Sequence, residues 1–216
     1  MFNNKNNINL RKIIICQSLA RRWLVKRNYN LGLTAKNLSL IPEHINFKPP
    51  KTQLDFYIEN HASQEILKYV PIQGKTFGEK YMENLAKIFF NLDPRSDSSH
   101  DHKKLNKTIE QKSARYHANG NDWKWQHIEM NHEWDYLMLT GLDFQKIRFY
   151  ITSRDIVNKL IKKNIITGQG KKNNGQANAQ QGYWFSRSDF KDPNKFLDFF
   201  KEINSEEELI NYIKNN

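Results

Sequence analysis

Asp101, Glu110 and Lys112 are the residues of this chain whose types and spacing suggest chemistry. The segment Lys-Thr-Ile-Glu-Gln-Lys-Ser-Ala (107–114) reads as a strand. Residues two apart in a strand share a face, so Glu110 and Lys112 project together while Ile109 and Gln111 face the other way. A turn near 104–107 would bring Asp101 back beside Glu110. Without chemistry to do, Glu110 and Lys112 would be a solvated strand face and Asp101 an ordinary loop residue. Two acids and an amine at one spot instead suit a divalent cation and a phosphate. Mg²⁺ takes hard oxygen ligands, commonly one or two carboxylates completed by water and substrate phosphate. A bound cation neutralises developing charge and lowers the pKa of a coordinated water. An adjacent lysine can orient that water and stabilise the charged transition state.

The surrounding pattern supplies elements to hold these groups. Residues 76–92 predict a helix, with Phe77, Tyr81, Leu85, Ile88 and Leu92 as its apolar stripe at spacings of three and four. Glu79 and Glu83 stand near its start, where acids also favour the helix dipole. A shorter helix is expected within 56–70, and residues 93–106 read as a loop containing Asp93 and Asp97. Trp123, Trp125 and Ile128 suggest a helix or turn over 122–132. Strands are expected at 134–140 and 146–152, with Gly141 in the connection between them, and a helix at 154–163. A Gly-, Asn- and Gln-rich basic loop (168–182) carries Lys171 and Lys172. A short strand, Tyr183-Trp184-Phe185, precedes Arg187, and closing helices occupy 194–214.

Asp101 followed by Glu110-Gln111-Lys112 resembles the PD-(D/E)xK nuclease superfamily, which includes restriction endonucleases. The preceding helix with Glu79 and Glu83, the Gln126 of Trp125-Gln126-His127-Ile128, and the strand opening Asp135-Tyr136-Leu137 extend that resemblance over about residues 74–190. It implies an α/β (α+β) fold, a restriction-endonuclease-like mixed sheet flanked by helices, and Mg²⁺-dependent hydrolysis of DNA. Asp101 and Glu110 would be the metal ligands, Lys112 would position the attacking water, and Glu79 would complete the outer shell. Family members often dimerise to cut both strands, so a homodimer is an expectation of the resemblance. The sequence departs from the pattern at His100, where a proline is usual, which keeps Asp97 and Asp93 open for the first acid. It equally leaves open whether the helical acid is Glu79 or Glu83. Gln126, Lys171, Lys172 and Arg187 are the candidates for contact with DNA, since Asn and Gln read base edges and Lys and Arg neutralise phosphates.

Composition agrees with a polyanionic partner. The 216 residues carry a net charge of +11, and the excess falls in two stretches. Residues 1–42 hold eight Lys/Arg and no acid, and residues 144–188 hold nine against Asp155 alone. The first includes a basic amphipathic pattern over 10–29, and Cys16-Gln17, Arg21-Arg22 and Lys26-Arg27 resemble an IQ motif. Gln17, Arg21, Arg22 and Lys26 would then contact a calmodulin-like protein. Three regions follow: a basic N-terminal helix (1–35), a connecting segment (36–73) with Pro42, Pro49 and Pro50, and the nuclease-like domain (74–216). One cysteine, Cys16, excludes an intramolecular disulfide framework and suits a reducing, intracellular compartment. No apolar run approaches the roughly 20 residues of a membrane span. His100, His102, His117, His127 and His132 lack the ligand spacing of a zinc site.

Overall fold

The computed structural model describes residues 52–117, 122–169, 182–190 and 192–216. The N-terminal pattern with Gln17, Arg21, Arg22 and Lys26, and the loop lysines Lys171 and Lys172, lie outside the described residues. The architecture is mixed α and β, a large mixed sheet flanked by helices. No helix among the described residues is long and apolar enough to cross a membrane.

Two short helices come first, α1 (Gln53–Glu59) and α2 (Gln64–Leu67). A longer helix, α3, follows in three consecutive segments: Gly74–Thr76, a π-helical stretch Phe77–Met82, and Glu83–Phe89. The strands are β1 (Asp93–Pro94), β2 (His102–Lys104), β3 (Lys107–His117), β4 (Asp122–Ile128), β5 (Tyr136–Leu142), β6 (Ile147–Ser153), β7 (Thr167–Gly168), β8 (Tyr183–Ser186) and β9 (Lys201–Ile203). Helix α4 (Arg154–Lys162) follows β6, α5 (Pro193–Leu197) precedes β9, and α6 (Glu206–Asn215) closes the chain. The order across the sheet is β7-β8-β4-β3-β5-β6-β9, with β2 also on β3 and β1 on β2. β3 and β5 are parallel and the other pairs antiparallel.

β5 is buried along its whole length, as expected of a strand covered on both faces. One face packs Leu137, Leu139, Tyr150, Trp123 and Trp125 against α4 and α5. The other packs Ile109, Met138 and Ile151 against Ala86 of α3, Phe90 at its C-cap, and Leu209 and Ile213 of α6. Segment 52–73 is part of this body, where the sequence suggested a connection. Tyr57 is fully buried and its hydroxyl donates to the Leu142 carbonyl at 2.7 Å. A capping box between Thr52 and Asp55 starts α1.

Three expectations are corrected, each for a definable reason. In α3 the buried residues are Phe77, Met82, Ala86 and Phe90, whereas Tyr81 is 42% and Ile88 81% exposed. The step from Phe77 to Met82 is five residues because the π-helical turn inserts one extra residue, moving the stripe off the α-helical period. Residues 122–128 form β4, not a helix or turn. Trp123 and Trp125 alternate inward with exposed Lys124 between them, and a bulge at Gln126-His127, with His127 at φ 59°, returns Ile128 to the core. Gly141 lies inside β5; the turn to β6 comes later, closed by the Asp143 amide on the Lys146 carbonyl at 2.9 Å. The closing region also contains β9, which adds a strand between two helices.

Gly141 is required by close approach. A Cβ there would stand 2.7 Å from the Trp123 ring, whose indole N–H donates to the Leu142 carbonyl at 3.1 Å. Gly141→Ala should therefore destabilise the fold by about 1–3 kcal/mol through overpacking. Chemical denaturation followed by tryptophan fluorescence checks this; an unchanged midpoint would show that the Trp123 ring moves freely.

Candidate functional site

β3 is held by different partners on its two edges. Along one edge β5 pairs continuously, from Ile109↔Tyr136 to Arg115↔Leu142. On the other edge β2 reaches only as far as His102↔Ile109, and β4 begins only at Tyr116↔Trp123. Residues 110–115 are thus left without a ladder partner on that edge, and a cleft of about 1030 Å³ opens there. Helix α3 lends the cleft Gly78, Glu79 and Glu83, the strand side lends Asp101, Lys112 and Ser113, and Gln126 of β4 lines it as well.

Asp101 fills part of the opened ladder. Its Oδ2 accepts the main-chain N–H of Gln111 at 2.7 Å, and its own amide donates to the Ile109 carbonyl at 3.0 Å. The carboxylate therefore sits on the peptide that joins Glu110 to Gln111. Glu110 and Lys112 share a face of β3, as period two requires. Lys112 Nζ lies 2.5 Å from Glu110 Oε1. Glu110 is 4% exposed and lies beneath Lys112, which lines the cleft.

Glu83, rather than Glu79, is the helical acid that faces this group. Burial, then the fields of Asp101 and Glu79, push its carboxyl from 4.5 up to about 7, with Lys112 pulling the other way and Glu110 adding to the rise. Glu79 also lines the cleft, but its side chain is 58% exposed and pairs with Lys75 at 3.7 Å. The π-helical turn between the two acids rotates the helix so that Met82 is buried and Glu83 follows it toward the site.

The proton affinities of Glu83, Glu110 and Lys112 move upward. Burial raises Glu110, opposed by Lys112 and reinforced by Asp101. Lys112 is pulled down by its own burial, yet Glu110 and Asp101 outweigh that and leave it raised. Burial is the largest cause for the two carboxyls, and the neighbouring acids add to it, since Glu83, Asp101 and Glu110 share one lysine. Removing charges from water is costly unless they are compensated.

Among the described residues, no three His, Cys, Asp and Glu side chains are arranged as a ready-made metal cage.

The other candidates have definite places. Asp97 is committed to a local turn, its Oδ1 accepting the Ser99 amide at 2.8 Å; that bonding, with His100 3.4 Å away, holds its carboxyl below the usual range. Asp93 sits in β1 opposite Lys103. Neither lines the cleft, so Asp101 is the acid brought to Glu110. Arg187 is turned inward: it donates to the Tyr116 hydroxyl at 2.8 Å, lies over the Trp123 ring at 5.0 Å, and is not among the cleft's lining residues. Two further arginines, Arg115 and Arg154, spend their guanidinium groups on main-chain carbonyls, those of Tyr69 and Ile72 for the first, and of Met130, His132 and Trp134 for the second.

Sequence reasoning missed the cleft's cationic rim, Lys75, Lys80, Lys87, Arg95 and Lys124. These residues lie in three separate places, α3, the loop after β1 and β4, and only the Trp-Lys-Trp alternation gave a local signal for one of them.

Against protein-family models and against curated proteins, the chain matches nothing.

The Glu83 shift has a measurable consequence. Between pH 4.5 and about 7 the folded state retains a proton that the unfolded state has released. Stability from this group therefore falls as pH rises through that window. In the absence of divalent cations, Glu83→Gln should be more stable than the parent at pH 8, and the gap should narrow toward pH 4.5. Urea unfolding at the two pH values checks it; a pH-independent difference would place Glu83 in ordinary solvent contact.

Proposed function

We propose that this protein is a Mg²⁺-dependent DNA endonuclease with a restriction-endonuclease-like fold. The observation that carries the reading is the meeting of Asp101, buried Glu110 and Lys112 at the unpaired edge of β3, with Asp101, Lys112 and Glu83 lining a cleft that has cationic side chains on its rim. The mixed sheet with its site strand opened between two antiparallel neighbours supports the fold assignment.

Asp101 and Glu110 would hold the metal, which when bound supplies charge neutralisation and a more acidic water. Each residue then has a separate task. Lys112 gives up part of its pairing with Glu110 and turns its ammonium to the scissile phosphate, where it steadies the water and the charge that builds on the phosphoryl oxygens. Glu83 would accept hydrogen bonds from water beside the metal. Lys75, Lys80, Lys87, Arg95 and Lys124 bind backbone phosphates without reading sequence, which makes association salt-sensitive. Gln126, exposed at the cleft, can reach a base edge. In-line attack on phosphorus, with the 3′ oxygen leaving, yields a 5′ phosphate, as the sequence resemblance implies.

The test is cleavage of a supercoiled plasmid with Mg²⁺. The parent should nick or linearise it, while Glu110→Ala and Lys112→Ala should each lose about 10²-fold or more in rate. Equal activity in all three would contradict the assignment. The cationic rim also favours a simpler role, a nucleic-acid-binding protein of the same fold. That reading predicts salt-dependent retention of DNA in a mobility shift with no cleavage at any Mg²⁺ concentration.

A further inference from the structure

Three polar side chains are buried where apolar ones would be ordinary: His102 of β2, Gln111 of β3 and Thr140 of β5. Buried polar groups persist when they satisfy each other, and these do. Gln111 Nε2 donates to Thr140 Oγ1 at 2.8 Å, and Gln111 Oε1 lies 2.8 Å from His102 Nε2. With the amide nitrogen committed to Thr140, the oxygen must receive a proton from the ring, so His102 carries its hydrogen on Nε2. Burial lowers the proton affinity of His102 and favours that neutral form.

The same Gln111 donates its main-chain N–H to Asp101 at 2.7 Å. Asp101 and His102 are adjacent in sequence, so one residue grips both: the first through its backbone, the second through its side chain. β2 has only three residues and its ladder with β3 ends at His102↔Ile109. Asp101 lies just beyond that last rung. Its place depends on its own amide to Ile109, on Gln111, and on whatever keeps Gln111 and His102 from moving. Thr140, fully buried in the central strand and paired in register with Ser113, is the fixed end.

We infer that His102, Gln111 and Thr140 are positioning residues, a three-link brace that sets the Asp101 carboxylate for a divalent cation. The inference rests on the reading of Asp101 and Glu110 as a cation site. Outer partners of this kind typically account for about 10–100-fold in metal affinity. A brace with a merely structural role would alter stability and leave cation affinity alone.

The experiment measures Mn²⁺ binding to the full chain without DNA, following free Mn²⁺ by electron paramagnetic resonance below the melting temperature of each variant. His102→Ala and Thr140→Val should each weaken binding by about 10–100-fold. His102→Gln, whose amide nitrogen can donate to Gln111, should restore affinity close to the parent. Thr140→Val preserves side-chain shape and so keeps the test open if His102→Ala does not fold. Parent-like affinity in the folded variants would overturn the brace while leaving the cation site standing. Absence of Mn²⁺ binding by the parent would overturn the cation site itself, and the brace with it.

Discussion

The hydrogen bond from the Gln111 amide to the Asp101 carboxylate is the constraint on which the site depends. A strand in the interior of a sheet ordinarily satisfies its amides with a neighbouring strand. Here β2 stops too early and β4 starts too late, so a carboxylate takes the neighbour's place. That substitution opens a cleft beside residues 110–115 and brings a negative charge to within one peptide of Glu110. A continuous ladder would have closed the edge and sent Asp101 into solvent.

The electrostatic character of the cleft follows from that geometry. Glu110 is buried and cannot avoid Asp101; Glu83 is brought in by a helix whose π-turn fixes which residue faces the sheet. Burial first, and then the crowding of three acids around one lysine, raises the proton affinities of Glu83 and Glu110, while the acids raise that of Lys112. A site of this kind is costly for a fold to keep, and perturbed groups in a cleft are a signature of function as well as of structure. In the proposed reading, the acidic floor would take a metal ion and the cationic rim a ligand that is anionic along its length.

How far the sequence carried the reading differs between elements. The strand around Glu110 and Lys112 was legible because period two is a local property, and the run of apolar residues in β5 and β6 spoke for itself. Helix α3 was legible as a helix but not in its register, because a π-turn leaves no mark in residue spacing until packing shows which side chains are buried. That is also why Glu79 and Glu83 could not be separated by counting. β4 was misread because a bulge at His127 broke its alternation before the pattern could repeat. The rim lysines and the His102–Gln111–Thr140 contacts join residues up to tens of positions apart, and no window along the chain contains them. The basic N-terminal pattern and the 168–182 loop gave clear sequence signals, yet of these only Gly168, Gln169 and Gly182 are among the described residues.

The central claim is that Asp101 and Glu110 form a divalent cation site at the open edge of β3. Anomalous diffraction from crystals of the protein grown with Mn²⁺ tests it most directly. The account predicts a single strong peak between the two carboxylates, with Lys112 displaced from its contact with Glu110. An anomalous peak elsewhere on the molecule, with Lys112 still paired to Glu110 and the edge of β3 empty, would contradict it.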